Sequence, residues 1–112
     1  MKIYHNPRCS TSRKTLQLIE KQGIEPEISL YLQQVPGKEE LKDILKKLGM
    51  KAEELVRKKE TLFKEKFKGQ HYTEEEWIKI LVENPKLIER PIVVKGDKAV
   101  LGRPPENVKT LF

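Results

Sequence analysis

The chain has 112 residues, 37% hydrophobic and 36% charged, with a net charge of +6. That length fits a single domain, 1–112, with one modest core, and no apolar run approaches the length that spans a membrane. The positive balance can mark a nucleic-acid partner, but most lysines fall on the polar faces of expected helices and the arginine–aromatic interleaving of single-strand binders is missing, so neither nucleic acid nor membrane is expected as a partner.

In chain order, Lys2-Ile3-Tyr4 begins a short strand that Asn6-Pro7 ends. From about Ser12 to Gln22 the pattern is helical, with Leu16 and Ile19 one turn apart and Gly23 as a stop. Ser10, Thr11 and Ser12 are all candidate N-caps. Glu27-Ile28-Ser29-Leu30-Tyr31 alternates and predicts a second strand. Pro36-Gly37 makes a turn. Leu41, Ile44, Leu45 and Leu48 then mark a helix that Gly49 closes. A short helix is expected over Glu53 to Arg57, and 58–70 reads as partly helical. Thr73-Glu74-Glu75-Glu76 is a capping box ahead of Trp77, Ile80 and Leu81, and Asn84-Pro85 ends that helix. Pro91 to Lys95, Gly96-Asp97 and Lys98 to Leu101 predict a hairpin with a two-residue turn. Pro104-Pro105 opens a last short helix.

The order is therefore β-α-β, several helices, then β-β-α. Two strands joined by a helix favour a parallel pair, and the hairpin adds an antiparallel one. The expected fold is α/β: a mixed four-stranded sheet flanked by helices, in thioredoxin-like order, with a helical insertion over about 38–84.

The sequence HNPRCSTSR holds the only cysteine, Cys9, with His5, Arg8 and Arg13 within four residues of it. One cysteine excludes an internal disulfide, and a free thiol without an export signal suggests the reducing cytoplasm. Two histidines and one cysteine are too few for a structural zinc site; no metal and no bound cofactor is expected. Cys9 falls at a strand-to-helix junction, where unpaired N–H groups and a positive dipole stabilise a thiolate. Arg8 and Arg13 add to that effect, and His5 can approach the sulfur or move a proton. Arg13 and Lys14 read as first-turn residues that oppose the dipole, at roughly 0.3–1 kcal/mol each, unless an anion binds at the helix start. Ser12 stands where a C-x-x-C pair has its second cysteine, so an external thiol must resolve any adduct. It can donate to the thiolate or cap the helix.

His5-Asn6-Pro7-x-Cys9-x-x-Ser12-Arg13-x-Thr15-Leu16 resembles the N-terminal signature of the glutaredoxin-coupled arsenate reductases. Three further segments resemble that family in order: Glu54-Leu55-Val56-Arg57-Lys58, Asn84-Pro85-x-Leu87-Ile88-x-Arg90-Pro91-Ile92-Val93-Val94, and Leu101-Gly102-Arg103-Pro104-Pro105-Glu106. The resemblance implies a thioredoxin-like fold and Cys9 as nucleophile. It implies Arg57, Arg90 and Arg103 around the oxyanion, and a cis bond before Pro91. Arginine suits such a site because its planar fork makes two parallel hydrogen bonds. A unit charge pair at about 4 Å, with an effective dielectric of about 20, is worth on the order of 4 kcal/mol before desolvation.

The activity so implied is reduction of arsenate to arsenite through a Cys9–arsenic adduct, with glutathione as reducing co-substrate and glutaredoxin as partner, in a cytoplasmic monomer. Two other readings stand beside it. A glutathione-dependent thiol–disulfide reductase would share the cysteine but has no need of three cations. An Spx-type regulator binding RNA polymerase would share the fold, but such proteins usually carry C-x-x-C and a longer tail.

Overall fold

A computed structural model describes all of residues 1–112. The chain divides into two compact units, Met1–Gln34 with Arg90–Phe112, and Val35–Glu89.

The first unit holds the sheet. Its strands are β1 (Lys2–Tyr4), β2 (Glu27–Ser29), β3 (Ile92–Lys95) and β4 (Lys98–Leu101), in the order β2-β1-β3-β4. β1 pairs parallel with β2 and antiparallel with β3, which pairs antiparallel with β4. The parallel pair is joined through α1 (Ser10–Lys21), as a parallel connection requires. β2 stops at Ser29, two residues short of the expected Tyr31. At this sheet edge Ile28 stays exposed, while Tyr31 is buried beyond the strand. The β3–β4 turn is the expected pair, Gly96-Asp97, and Gly96 takes a positive φ of 62° that few other residues adopt.

Ile3 from β1, Ile19 from α1 and Val93 from β3 form the core with Val108 and Leu111. The last two come from a 3-10 helix, Pro105–Leu111, where the sequence predicts an unspecified short helix. Residues 90–112 thus return to cover the face of the sheet that the first third of the chain begins.

The second unit is helical: α2 (Lys38–Leu48), α3 (Thr61–Lys66) and α4 (Glu74–Glu83), with 3-10 helices at Ala52–Leu55 and Pro85–Leu87. α2 ends on Gly49 in the left-handed conformation, φ 68°, the usual C-terminal stop. α4 begins with the predicted capping box: the Thr73 hydroxyl accepts the Glu76 N–H, and the Glu76 carboxylate accepts the Thr73 N–H. Its apolar stripe of Trp77, Ile78, Ile80 and Leu81 is buried, with Tyr72 edge-on to Trp77 at 4.8 Å. The helix expected over residues 53–57 starts one residue earlier and stops at Leu55. Val56 then bridges to Ile88, so the backbone there is extended. No helix of the protein is long and apolar enough to cross a membrane.

Candidate active site

Between β1 and α1 the chain makes a tight loop around Asn6. The Cys9 N–H donates to the Asn6 carbonyl at 3.0 Å, and the Arg8 N–H to Asn6 Oδ1 at 3.0 Å. Cys9 itself is the N-cap of α1. Its backbone is extended (φ −94°, ψ 121°), and its carbonyl accepts the Arg13 N–H at 3.0 Å. An N-cap side chain lies beside the unpaired N–H groups of the first turn, and here that side chain carries sulfur. The sequence offers Ser10, Thr11 and Ser12 as caps, but the helix begins at Ser10, two residues before the expected start. The Ser12 hydroxyl is already engaged elsewhere.

Ser12 is fully buried. Its Oγ lies 2.6 Å from His5 Nδ1 and accepts the Asn6 N–H at 3.1 Å. His5 is also buried. Burial first, and then the Arg13 charge, hold its ring below the usual histidine range against an opposing pull from Glu20. A neutral ring offers one nitrogen as acceptor, so Ser12 can donate to Nδ1 while accepting from Asn6. The hydroxyl of Ser12 thereby braces the loop, and its backbone N–H is what acts on Cys9.

The Cys9 thiol is half-buried and unbridged. Burial alone would push it up. The Ser12 N–H, the Arg90 side chain and the Arg103 side chain outweigh burial and bring it below the ordinary thiol value. No hydrogen bond closes the cap at the sulfur, yet the Ser12 N–H still bears on it. Arg103 Nη1 lies 3.8 Å from Cys9 Sγ and donates to the Arg90 carbonyl at 3.1 Å. Arg90 Nε is buried without a hydrogen-bond partner. Leaving such a donor unpaired costs about 1–3 kcal/mol, so an anionic oxygen beside it is favourable.

Arg13 donates from Nη1 to the Pro7 carbonyl at 2.8 Å and so clasps the loop to the helix. It is the fourth residue of α1 and Lys14 the fifth, past the opening positions where the sequence put them. Their mismatch with the helix dipole is correspondingly smaller.

Arg57 belongs to the second unit. It lies two residues beyond the 3-10 helix rather than at the end of the expected one, so no helix dipole favours a cation there. Its N–H donates to the Leu87 carbonyl at 2.6 Å, and its Nη1 is buried with no hydrogen-bond partner.

The Arg90–Pro91 bond is cis, as the resemblance implies. A second cis bond, Arg103–Pro104, was not foreseen; the only hint was a second arginine–proline pair. The sequence names Thr15 and Gly102 only as members of the family motifs, without a role; the structure brings them together. The available signal was a threonine on the apolar side of α1 and a glycine directly before Arg103.

The ArsC family profile matches residues 4–111. The chain is 54% identical to the uncharacterized protein YfgD of Escherichia coli, over 96% of this chain and 92% of that one. It is 48% identical to an arsenate reductase of Haemophilus influenzae, over 95% and 93%. An arsenate reductase structure from Vibrio cholerae superposes with a TM-score of 0.94 at 45% identity, covering 100% of this chain and 98% of that one. The fold is thus the thioredoxin-like one expected from the order of elements.

Proposed function

The chain belongs to the ArsC family, and on that premise we propose that it reduces arsenate to arsenite with Cys9 as nucleophile. The observation that carries this reading is the convergence of Arg90 and Arg103 on a single sulfur at a helix start. The same cations that favour the Cys9 thiolate suit an oxyanion, and the unpartnered Arg90 Nε supplies a free donor. Arg57 is assigned to the oxyanion by family resemblance alone.

Arsenate is held by the arginines, and the thiolate attacks arsenic, expelling an oxygen as water. Glutathione attacks the Cys9 sulfur of the adduct; the sulfur–arsenic bond breaks with its electron pair left on arsenic, arsenite departs, and glutaredoxin reduces the Cys9–glutathione mixed disulfide that remains. Two thiols give two electrons to arsenic and leave as a disulfide. Cys9 is the only cysteine, so the second sulfur comes from outside, which supports a soluble thiol donor in the reducing cytoplasm. His5, neutral and bonded to Ser12, keeps the loop in shape and can relay a proton to the departing oxygen.

The test is arsenite formation with glutathione, with and without glutaredoxin. Wild-type protein turns over and Cys9→Ser does not. No turnover by the wild type, or full turnover by the variant, would sink the reading. Turnover with a dithiol donor but not with glutathione would keep the chemistry and discard the proposed donor. Equal activity of wild type and Arg90→Ala on a small mixed disulfide, without arsenate reduction by either, would favour a plain thiol reductase.

A further inference from the structure

Beside Arg90 and Arg103 in the chain, one hydroxyl ties α1 to the Gly102 segment, and Gly102 in turn ties to Pro91. Thr15, fully buried in α1, places Oγ1 2.9 Å from the Thr11 carbonyl and 3.0 Å from the Gly102 carbonyl. The Gly102 N–H donates to the Pro91 carbonyl at 2.8 Å. A Cβ on residue 102 would lie 2.8 Å from Thr15 Cγ2, and 2.9 Å from both Pro91 Cγ and Thr15 Oγ1. Such contacts are shorter than packed atoms tolerate, and both neighbours are fully buried, with no room to retreat. Glycine is required here by close approach, not by its backbone angle. The Asn107 amide holds the chain on either side, donating to the Leu101 and Arg103 carbonyls at 3.1 and 3.0 Å.

The neighbours of this knot are the functional groups. Arg90 directly precedes Pro91, Arg103 directly follows Gly102, and α1 carries Cys9 as its cap. The Arg103 bond to the Arg90 carbonyl closes the ring. We propose that Thr15 and Gly102 are positioning residues: their contact sets how closely Arg90 and Arg103 approach the Cys9 sulfur and an oxyanion bound beside it. Only the oxyanion half rests on the arsenate reading; the sulfur half stands on geometry alone.

The hydroxyl and the packing are separable. Thr15→Val keeps the volume and removes the donor, so the Gly102 carbonyl loses its tie to α1. Thr15→Ser keeps the donor and removes a methyl. Gly102→Ala forces the segments apart.

The experiment follows iodoacetamide alkylation of Cys9 against pH in wild type and the three variants, with thermal unfolding alongside. The sulfur is faced by the Ser12 N–H, Arg90 and Arg103, while His5 and Arg13 bond to Ser12 and Pro7. Thr15→Val and Gly102→Ala are expected to move the thiolate titration up by about half a pH unit or more, and Thr15→Ser to return it to the wild-type position. In parallel, kcat/KM for arsenate falls about ten- to a hundredfold in Thr15→Val and recovers in Thr15→Ser.

A folded Thr15→Val with an unshifted titration overturns the proposal. So does a Thr15→Ser titration displaced as far as that of Thr15→Val, since packing alone would then be the cause. If Gly102→Ala does not fold, the two Thr15 variants decide the matter. Alkylation needs no arsenate, so it tests the knot even in a protein that fails to reduce arsenate.

Discussion

The two compact units bury different things. In the first, four polar side chains lie inside with the apolar ones: His5, Ser12, Thr15 and Ser29. In the second, the buried side chains include Leu41, Ile44, Leu55, Trp77, Leu81 and Leu87; no polar residue is buried as a whole, and Arg57 Nη1 is its one buried polar atom without a hydrogen-bond partner. Its charged groups meet at the surface, as in Lys42–Glu75 and Lys47–Asp43, where such pairs contribute little. Burying a polar group is unfavourable unless it is hydrogen-bonded. Three of the four in the first unit sit at or directly behind the Cys9 loop, and Ser12 and Thr15 each serve two partners. The first unit uses its interior to aim groups at a sulfur. The second uses its interior for cohesion.

Substitutions can break this contrast. The largest effect on activity is expected from Arg103→Ala or Arg90→Ala, which should cut kcat/KM for arsenate by about 10²–10³ and change thermal stability little. A steady-state arsenite assay with a melting curve checks both halves. Leu81→Ala, in the second unit, is the opposite case. Chemical denaturation should show a loss of about 2–5 kcal/mol, with the Cys9 titration unmoved. Should Leu81→Ala shift that titration as far as Arg103→Ala does, the division of labour is wrong.

Ser12→Ala sharpens the contrast from within the first unit. It strands the Asn6 N–H and the His5 ring, for an expected loss of about 1–3 kcal/mol in denaturant unfolding. A loss no larger than that of a surface serine would mean the polar bracing is idle. The smallest effect belongs to Thr73→Ala at the start of α4. It should cost about 1 kcal/mol and leave arsenate turnover at the wild-type rate.

Much of the scaffold was legible because local chemistry and tertiary role agree. The Thr73 box, the Gly49 stop and the Gly96-Asp97 turn each obey short-range rules that hold in this fold. The start of α1 was not legible in that way. Ser10, Thr11 and Ser12 all suit a cap, but in the fold His5 and Asn6 take the Ser12 hydroxyl and Cys9 is the cap. Arg57 was misplaced onto a helix end because the bridge from Val56 to Ile88, residues far apart in sequence, ends the helix early. The meeting of Thr15 with Gly102 is likewise a pairing across 87 residues of sequence. Periodicity carries no sign of it. The candidate site residues are legible by type and by family pattern, and the groups packed around them are visible only in the fold.

The central claim is that groups from distant segments bring the Cys9 thiol below its ordinary value. Because the native thiol lies below its ordinary value, the thiolate's contribution to stability is fully present above the unfolded-state pKa. It is lost as pH falls through the lowered native one. The direct measurement is the pH dependence of Cys9 alkylation in wild type and Arg103→Ala, set against the urea-unfolded chain. Wild type should titrate below the unfolded chain, with Arg103→Ala between them. A wild-type titration at or above that of the unfolded chain would contradict the account.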